Sequence, residues 1–241
     1  YEQAQCALEL QRGKGQFGLE QLQERCGMLG IEPFHQRVHD KQLLRSARMD
    51  TMQVNVGYAC NLACEHCYLE CSPQREESMS RQTMEACLAA LRTGGFHVLD
   101  VTGGSPEMNP HLEWLLDEAS KIAEQVIVRS NLTILARSEY AHLKDAYVRN
   151  KVHIVASLPY HDAGYCDGQR GRGAFEAIVD QLRSLNRMGY GIDPELRIDL
   201  AYNVNGPFLP PNQRELEEFY AYQLKAQQGV VFNGLYAFNN F

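Results

Sequence analysis

The chain has 241 residues, enough to bury a sizeable core in one large domain, and α/β barrels reach this size as single units. Its net charge is −7 with no basic run, which speaks against nucleic acid as partner, and no apolar stretch of about 18 residues offers a membrane span. It starts at Tyr1 rather than Met and ends in an apolar stretch, so residues are expected to be missing at both ends, and nothing resembles a signal peptide.

Residues 1–48 are polar and mixed. "GLEQLQERCGML", Gly18 to Leu29, has helical spacing and Pro33 breaks the pattern shortly after it, so this part is expected to be a helical lead-in. From Met49 a rhythm sets in. "MQVNVGY" alternates as a strand, and "MSRQTMEACLAALRTGG" puts Met84, Cys87, Leu88 and Leu91 on one helical stripe with Gly94 as a stop. "FHVLDVTGG" is a strand, and "NPHLEWLLDEASKIA" a helix with Asn109 as cap and Pro110 at its first position. "QVIVRSN" is a strand, "ARSEYAHLKDAYVRN" a helix, "VHIVASLPY" a strand. "GAFEAIVDQLRSLNRMG" is a helix that turns Phe175, Ile178, Val179, Leu182 and Leu185 inward. "ELRIDLAYNVN" is a strand, "PNQRELEEFYAYQLKAQQG" a helix, and "VVFNGLYAF" the last strand.

Six strands separated by five helices predict an α/β fold with a parallel sheet, over residues 49–241. The sheet is either open and doubly wound or curved into a partial (β/α)6 TIM-like barrel. In both, function collects where strands end. The notable polar residues fall there: Cys60–Cys67, Gly103–Glu107, Ser130–Asn131, Ser157, then Asn203 and Asn205.

The first of these loops holds "CNLACEHCYLEC", four of the chain's eight cysteines within twelve residues. Clustering of this kind suits cytosolic metal binding better than disulfides. Cys60, Cys64, Cys67 and Cys71 could hold one zinc ion, although structural zinc sites usually pair two knuckles across a longer loop. A closed electron-transfer cluster would need a run like that of bacterial ferredoxins, yet Ser72 precedes Pro73 and no second run exists. In a third arrangement Cys60, Cys64 and Cys67 hold three irons of a 4Fe-4S cluster, the fourth iron stays open, and Cys71 is left over. "GRGAFE" lacks a third glycine for a dinucleotide fingerprint, and no Walker-type loop is present.

The C-x3-C-x2-C spacing after a first strand resembles the radical S-adenosylmethionine superfamily. The resemblance implies a radical core built as a (β/α)6 partial barrel, with Cys60, Cys64 and Cys67 on a 4Fe-4S cluster and S-adenosylmethionine on its open iron. His66 sits where that superfamily places an aromatic residue beside the adenine. "TGGSPE" resembles its glycine motif, so Gly103, Gly104, Ser105 and Glu107 are implied around the methionine amino group. The usual acid directly after the glycines is here Ser105, and Glu107 stands two positions later. Arg129, Ser130 and Asn131 are implied at the cofactor's carboxylate or ribose, since bidentate pairing of Arg129 suits a carboxylate. Ser157 and Asn203 are further cofactor candidates.

Longer strings, "MQVNVGYACNLACEHC", "VTGGSPEMNPHLEWL", "RSNLTIL", "IVASLPY", "QRGRGAFEAIVDQLRSLNRMGYG" and "LPPNQRELEEFY", resemble the arsenosugar-biosynthesis radical S-adenosylmethionine (ArsS) family over roughly Met49 to Phe241. The chain departs from that pattern at Tyr68, where members carry His, and at Cys71, where they carry a small residue. Members usually continue into a C-terminal cysteine-bearing region, which is expected among the residues missing after Phe241. The family implies addition of a 5′-deoxyadenosyl group to dimethylarsenite, with a one-electron donor such as flavodoxin or ferredoxin and a cytoplasmic setting. Arsenic(III) is thiophilic, so Cys71 and Cys166 are candidate substrate contacts, while Cys6, Cys26 and Cys87 read as structural. The alternative is hydrogen abstraction from a peptide or another small molecule, and the non-enzyme alternative an iron–sulfur or zinc binding module.

Overall fold

The computed structural model describes residues 27, 28, 30, 32, 34–45, 48–65, 67–204 and 209–238. The chain divides into two compact units, Tyr1–Arg48 and Met49–Phe241. In the first, a one-turn helix Phe34–Arg37 precedes a short 3-10 turn, Lys41–Leu44, which starts where the Asp40 carboxylate accepts the Gln42 N–H. The helical lead-in expected over Gly18–Leu29 falls outside the described residues, except for Gly27 and Met28, which are helical.

The second unit is a six-stranded, wholly parallel sheet in the order β1-β2-β3-β4-β5-β6. The strands are β1 Thr51–Asn55, β2 Val98–Thr102, β3 Gln125–Ser130, β4 His153–Ser157, β5 Ile198–Asn203 and β6 Gly234–Phe238. Sequential neighbours in one direction are what right-handed crossovers produce when a sheet curls instead of doubling back. No pairing joins β1 to β6 among the described residues. The architecture is the partial (β/α)6 barrel, and the doubly wound order is excluded.

The crossovers are α1 Arg81–Thr93, α2 Leu112–Ala119, α3 Leu143–Arg149, α4 Ala163–Arg170, α5 Ala174–Arg187 and α6 Gln213–Gln223, the last continued by a π turn, Leu224–Gln228. Ser80 starts α1 by accepting the Thr83 N–H, and Met84, Leu88 and Leu91 are buried with Cys87 packed against them. In α5 the stripe Phe175, Ile178, Val179, Leu182, Leu185 is buried as its period predicts. Each such side chain contributes about 1.5–3 kcal/mol when removed from water.

Three elements depart from the sequence pattern. α2 starts at Leu112, because the Asn109 side chain donates to the carbonyls of Val56 and Met79 and so ties the β2 loop to the β1 loop. The single helix expected before β4 is a 3-10 turn, Thr133–Ala136, followed by the short α3. The loop expected after β4 contains α4, which Asp162 caps by accepting the Tyr165 N–H and which Gly171 (φ 101°) ends. Gly164 and Gly168 hide this helix from propensity, but its cap was legible.

Candidate functional site

Beyond β1 the chain runs into the cysteine loop, and the β2 loop lies directly on it. The Val56 N–H donates to Thr102 O, Gly104 N–H to Gly57 O at 3.0 Å and Ser105 N–H to Ala59 O at 2.9 Å. A Cβ on Gly103 would stand 2.5 Å from the Gly57 carbonyl oxygen, and one on Gly104 2.5 Å from that of Ala59. Both glycines are therefore required by backbone-on-backbone contact. On its other side the loop is tied to α4 by the Glu65 N–H, which donates to Gln169 O.

These loops enclose a cavity of about 390 Å³ at the carboxyl ends of the strands, within the range of small-ligand sites. It gathers Cys60, Cys64, Cys67 and Cys71 with Gly103, Gly104, Arg129, Ser130, Asn131, Ser157 and Asn203. Leu62, Val155, Ala201 and Phe238 supply its apolar wall. His66 lies outside the described residues, as does Asn205.

The three motif thiols differ in their surroundings. The Cys60 sulfur meets the Leu62 N–H and the Ser105 hydroxyl, each at 3.4 Å, and the Asn131 amide at 3.6 Å. The Cys67 sulfur accepts the Cys71 N–H at 3.4 Å. For Cys64 no hydrogen bond is found among the described residues. Burial pushes its thiol up, Arg170 opposes this, and Cys60 and Cys67 add to it. Cys71 is buried beside Cys67, and burial with that neighbour pushes its thiol up to about 12. Among the described residues no three His, Cys, Asp or Glu side chains converge as one metal ion requires. Three thiols lining one cavity suit a multi-iron cluster, where each thiolate binds a different iron. With donors already aimed at two of the sulfurs, the residues fit such a group.

Four of the implied cofactor contacts, Glu107, Ser130, Arg129 and Ser105, are buried under the wall or already engaged within the protein. Glu107 is only 2% exposed and lies under the rim, not on it. Its Oε1 accepts from the Ser130 hydroxyl and from the Tyr147 hydroxyl, while Oε2 is buried without a partner. Ser130, on the cavity wall, thus spends its proton on Glu107, and its oxygen accepts the Leu132 N–H. Arg129 lines the cavity, but its Nε and Nη2 both donate to the carboxylate of Asp100, at 2.8–3.0 Å. The fork that a ligand carboxylate would use is already occupied. Ser105 is also behind the wall, turned onto Cys60.

Cys166 is corrected more fully. It lies on α4 in the core, 0% exposed and absent from the cavity wall, and burial pushes its thiol up to about 12. A substrate cannot reach it there. The same helix contributes a residue that the sequence pattern does not single out. Arg170 lines the cavity and is 7% exposed, yet no hydrogen bond or ion pair to its guanidinium is found among the described residues, and its buried Nε is without a partner. A buried cation without a counter-charge is costly, so this one marks where an anion belongs. Its only sequence signal is a cation at the end of a segment that does not read as a helix.

No family model matches the chain. It is 30% identical to the antilisterial bacteriocin subtilosin biosynthesis protein AlbA of Bacillus subtilis over 133 residues, 55% of this chain and 29% of AlbA. It is 26% identical to the mycofactocin maturase MftC of Mycolicibacterium smegmatis over 133 residues, 55% of this chain and 33% of MftC. The match thus spans about a third of the length of these relatives. Among solved structures, Streptococcus suis SuiB with S-adenosylmethionine bound superposes with a TM-score of 0.60 at 13% identity, over 79% of this chain and 40% of SuiB. SuiB bound to its precursor peptide SuiA gives 0.61 at 14% identity, over 95% of this chain and 47% of SuiB.

Proposed function

We propose, on the premise that this chain belongs to the radical S-adenosylmethionine superfamily, that it abstracts hydrogen from a peptide substrate. The cofactors of that superfamily are a 4Fe-4S cluster and S-adenosylmethionine. When bound, they supply the one-electron reductive cleavage that yields a 5′-deoxyadenosyl radical. The remaining tasks fall to residues of this chain. Cys60, Cys64 and Cys67 would hold the cluster. Arg170 would meet the carboxylate of the cofactor's methionine, and Gly103 and Gly104 would offer backbone groups to its amino end. Ser157 and Asn203, at the ends of β4 and β5, would meet its hydroxyls. Leu62, Val155, Ala201 and Phe238 exclude water from the reacting centre.

The observation that carries this reading is one cavity that joins three motif thiols to a buried arginine whose Nε has no partner among the described residues. The peptide class is supported by the bacteriocin pathway named for AlbA and by the precursor peptide bound to SuiB. A dimethylarsenite substrate has less support: of the two candidate substrate thiols, Cys166 is sealed in the core and Cys71 alone lines the cavity. A flavodoxin or ferredoxin would deliver the electron.

Anaerobic turnover of the reconstituted protein decides between these chemistries. Mass spectrometry should find free 5′-deoxyadenosine, together with a peptide product changed in mass. An adenosine–arsenic adduct formed from dimethylarsenite would overturn hydrogen abstraction. An EPR signal of the reduced cluster that ignores added S-adenosylmethionine would overturn the open-iron assignment altogether.

A further inference from the structure

The polar residues behind Cys60 form a closed set that binding of a small ligand does not explain. The Asn61 Nδ2 donates to Thr133 Oγ1 at 2.7 Å, and the Thr133 hydroxyl donates to Asn131 Oδ1 at 2.8 Å. Asn131 Nδ2 lies 2.9 Å from both Asn61 Oδ1 and Ser105 Oγ. Ser105 Oγ is 2.8 Å from Asn61 Oδ1 and 3.4 Å from Cys60 Sγ. These side chains come from the loops after three different strands, and Leu132, in the left-handed region at φ 60°, turns the chain at Asn131.

The single proton of the Ser105 hydroxyl donates to Asn61 Oδ1 at 2.8 Å while Cys60 is a thiol. A thiolate at Cys60 can only accept, and Ser105 Oγ at 3.4 Å is within reach to turn that proton onto the sulfur. Asn61 Oδ1 does not lose its donor, because one Asn131 amide proton serves it while the other serves Ser105 Oγ. We infer that Ser105 is a positioning residue, held by Asn131, whose hydroxyl donates to the Cys60 sulfur and raises the reduction potential of the cluster attached there. The inference rests on the assignment of Cys60, Cys64 and Cys67 as cluster ligands.

Reduction adds an electron whose charge is shared with the cluster's sulfurs. A donor aimed at a sulfur stabilises the more negative state, and the potential rises. Cys60, Ser105 and Asn131 are all buried, so little water competes for that bond. Cys67 has a single backbone donor and Cys64 none among the described residues. The tuning is therefore concentrated on one of the three ligands.

The test is an EPR-monitored redox titration of reconstituted Ser105→Ala, Ser105→Thr and wild-type protein, without S-adenosylmethionine. Iron, sulfide and cofactor affinity are measured in parallel. Ser105→Ala should keep its iron and sulfide and its affinity, while its midpoint potential falls; Ser105→Thr should restore the potential. Asn131→Ala, which frees Ser105 without removing it, should lower the potential by less, and it serves if Ser105→Ala does not fold. An unmoved potential in the variants would overturn the inference. So would a lost cofactor affinity at constant potential, which would make Ser105 a cofactor contact. A wild-type protein that takes up no 4Fe-4S cluster refutes the assignment beneath it, and that outcome is distinct from both.

Discussion

Two concavities lie at opposite ends of β4, and the larger is the less informative. One, about 630 Å³, sits beside the start of the strand and is lined by Asp117, Ser120, Lys121, Arg149, Asn150 and Lys151. All three of its cations are paired: Lys121 with Glu118 at 2.7 Å, Arg149 with Glu113 and Asp117 at 3.0 and 2.9 Å, Lys151 with Glu195 at 2.6 Å. The other, about 390 Å³, sits beyond the end of the strand and holds four thiols and Arg170, whose buried Nε has no partner among the described residues. Volume does not separate a binding site from a surface dip; unmet polarity does.

The barrel floor makes the same point. His153 and Asp199 are buried, with His153 Nε2 donating to Asp199 Oδ2 at 2.9 Å while Nδ1 accepts from Gln125 Nε2 at 3.1 Å. Arg197 Nε donates to both oxygens of Asp199. Each group there answers another, so the floor is structural. The rim is left incomplete, as functional sites commonly are.

Breaking the contrast at its strongest point gives the largest effect. Replacing any one of Cys60, Cys64 or Cys67 by Ala should abolish cluster assembly, read as iron and sulfide content, whereas Lys151→Met at the other concavity should leave it unchanged. Next, Asp199→Ala removes the counter-charge of the floor and should cost about 3–5 kcal/mol of stability, since it breaks a buried network. Chemical denaturation checks this, and a loss near that of an exposed pair, about 0–1 kcal/mol, would place the network among surface contacts. Arg170→Met should then weaken S-adenosylmethionine binding by about 1.5–3 kcal/mol, the worth of hydrogen bonds to a charged group, measured by calorimetry. Arg149→Met should leave that affinity untouched.

The smallest effect sharpens the border between rim and core. Burial raises the Glu107 carboxyl above the usual range, and the hydrogen bonds from Ser130 and Tyr147 oppose this only in part. The unfolded chain releases that proton near about pH 4.3, while the folded chain keeps it. The contribution to stability is therefore complete below the unfolded value and is lost as pH rises through the folded one. Denaturation midpoints of wild type should fall over that interval relative to Glu107→Gln. Parallel profiles for the two proteins would mean that Glu107 is ionised in the fold.

Much of this was legible without coordinates, because it depends on near neighbours in the chain. The β/α alternation, the inward stripe of α5 and the C-x3-C-x2-C spacing are periodic patterns, and sheet and helix geometry convert period directly into face. That Gly103 and Gly104 permit a close approach was also readable, although the backbone they admit is that of the cysteine loop. What no local pattern could decide is which way a loop residue faces. Ser105 and Glu107 are two positions apart, yet one meets the Cys60 sulfur and the other is sealed under Ser130 and Tyr147. Cys71 and Cys166 read alike as spare thiols, and only packing puts one on the cavity wall and the other in the core. Arg170 is ordinary in the sequence; its significance lies in the absence of a partner for it among the described residues, and partners are supplied by strands and helices far away in the chain. Local periodicity determined the β/α alternation and the cysteine loop, while contacts distant in sequence decided that the sheet curls into a partial barrel and which side chains around that loop line the cavity.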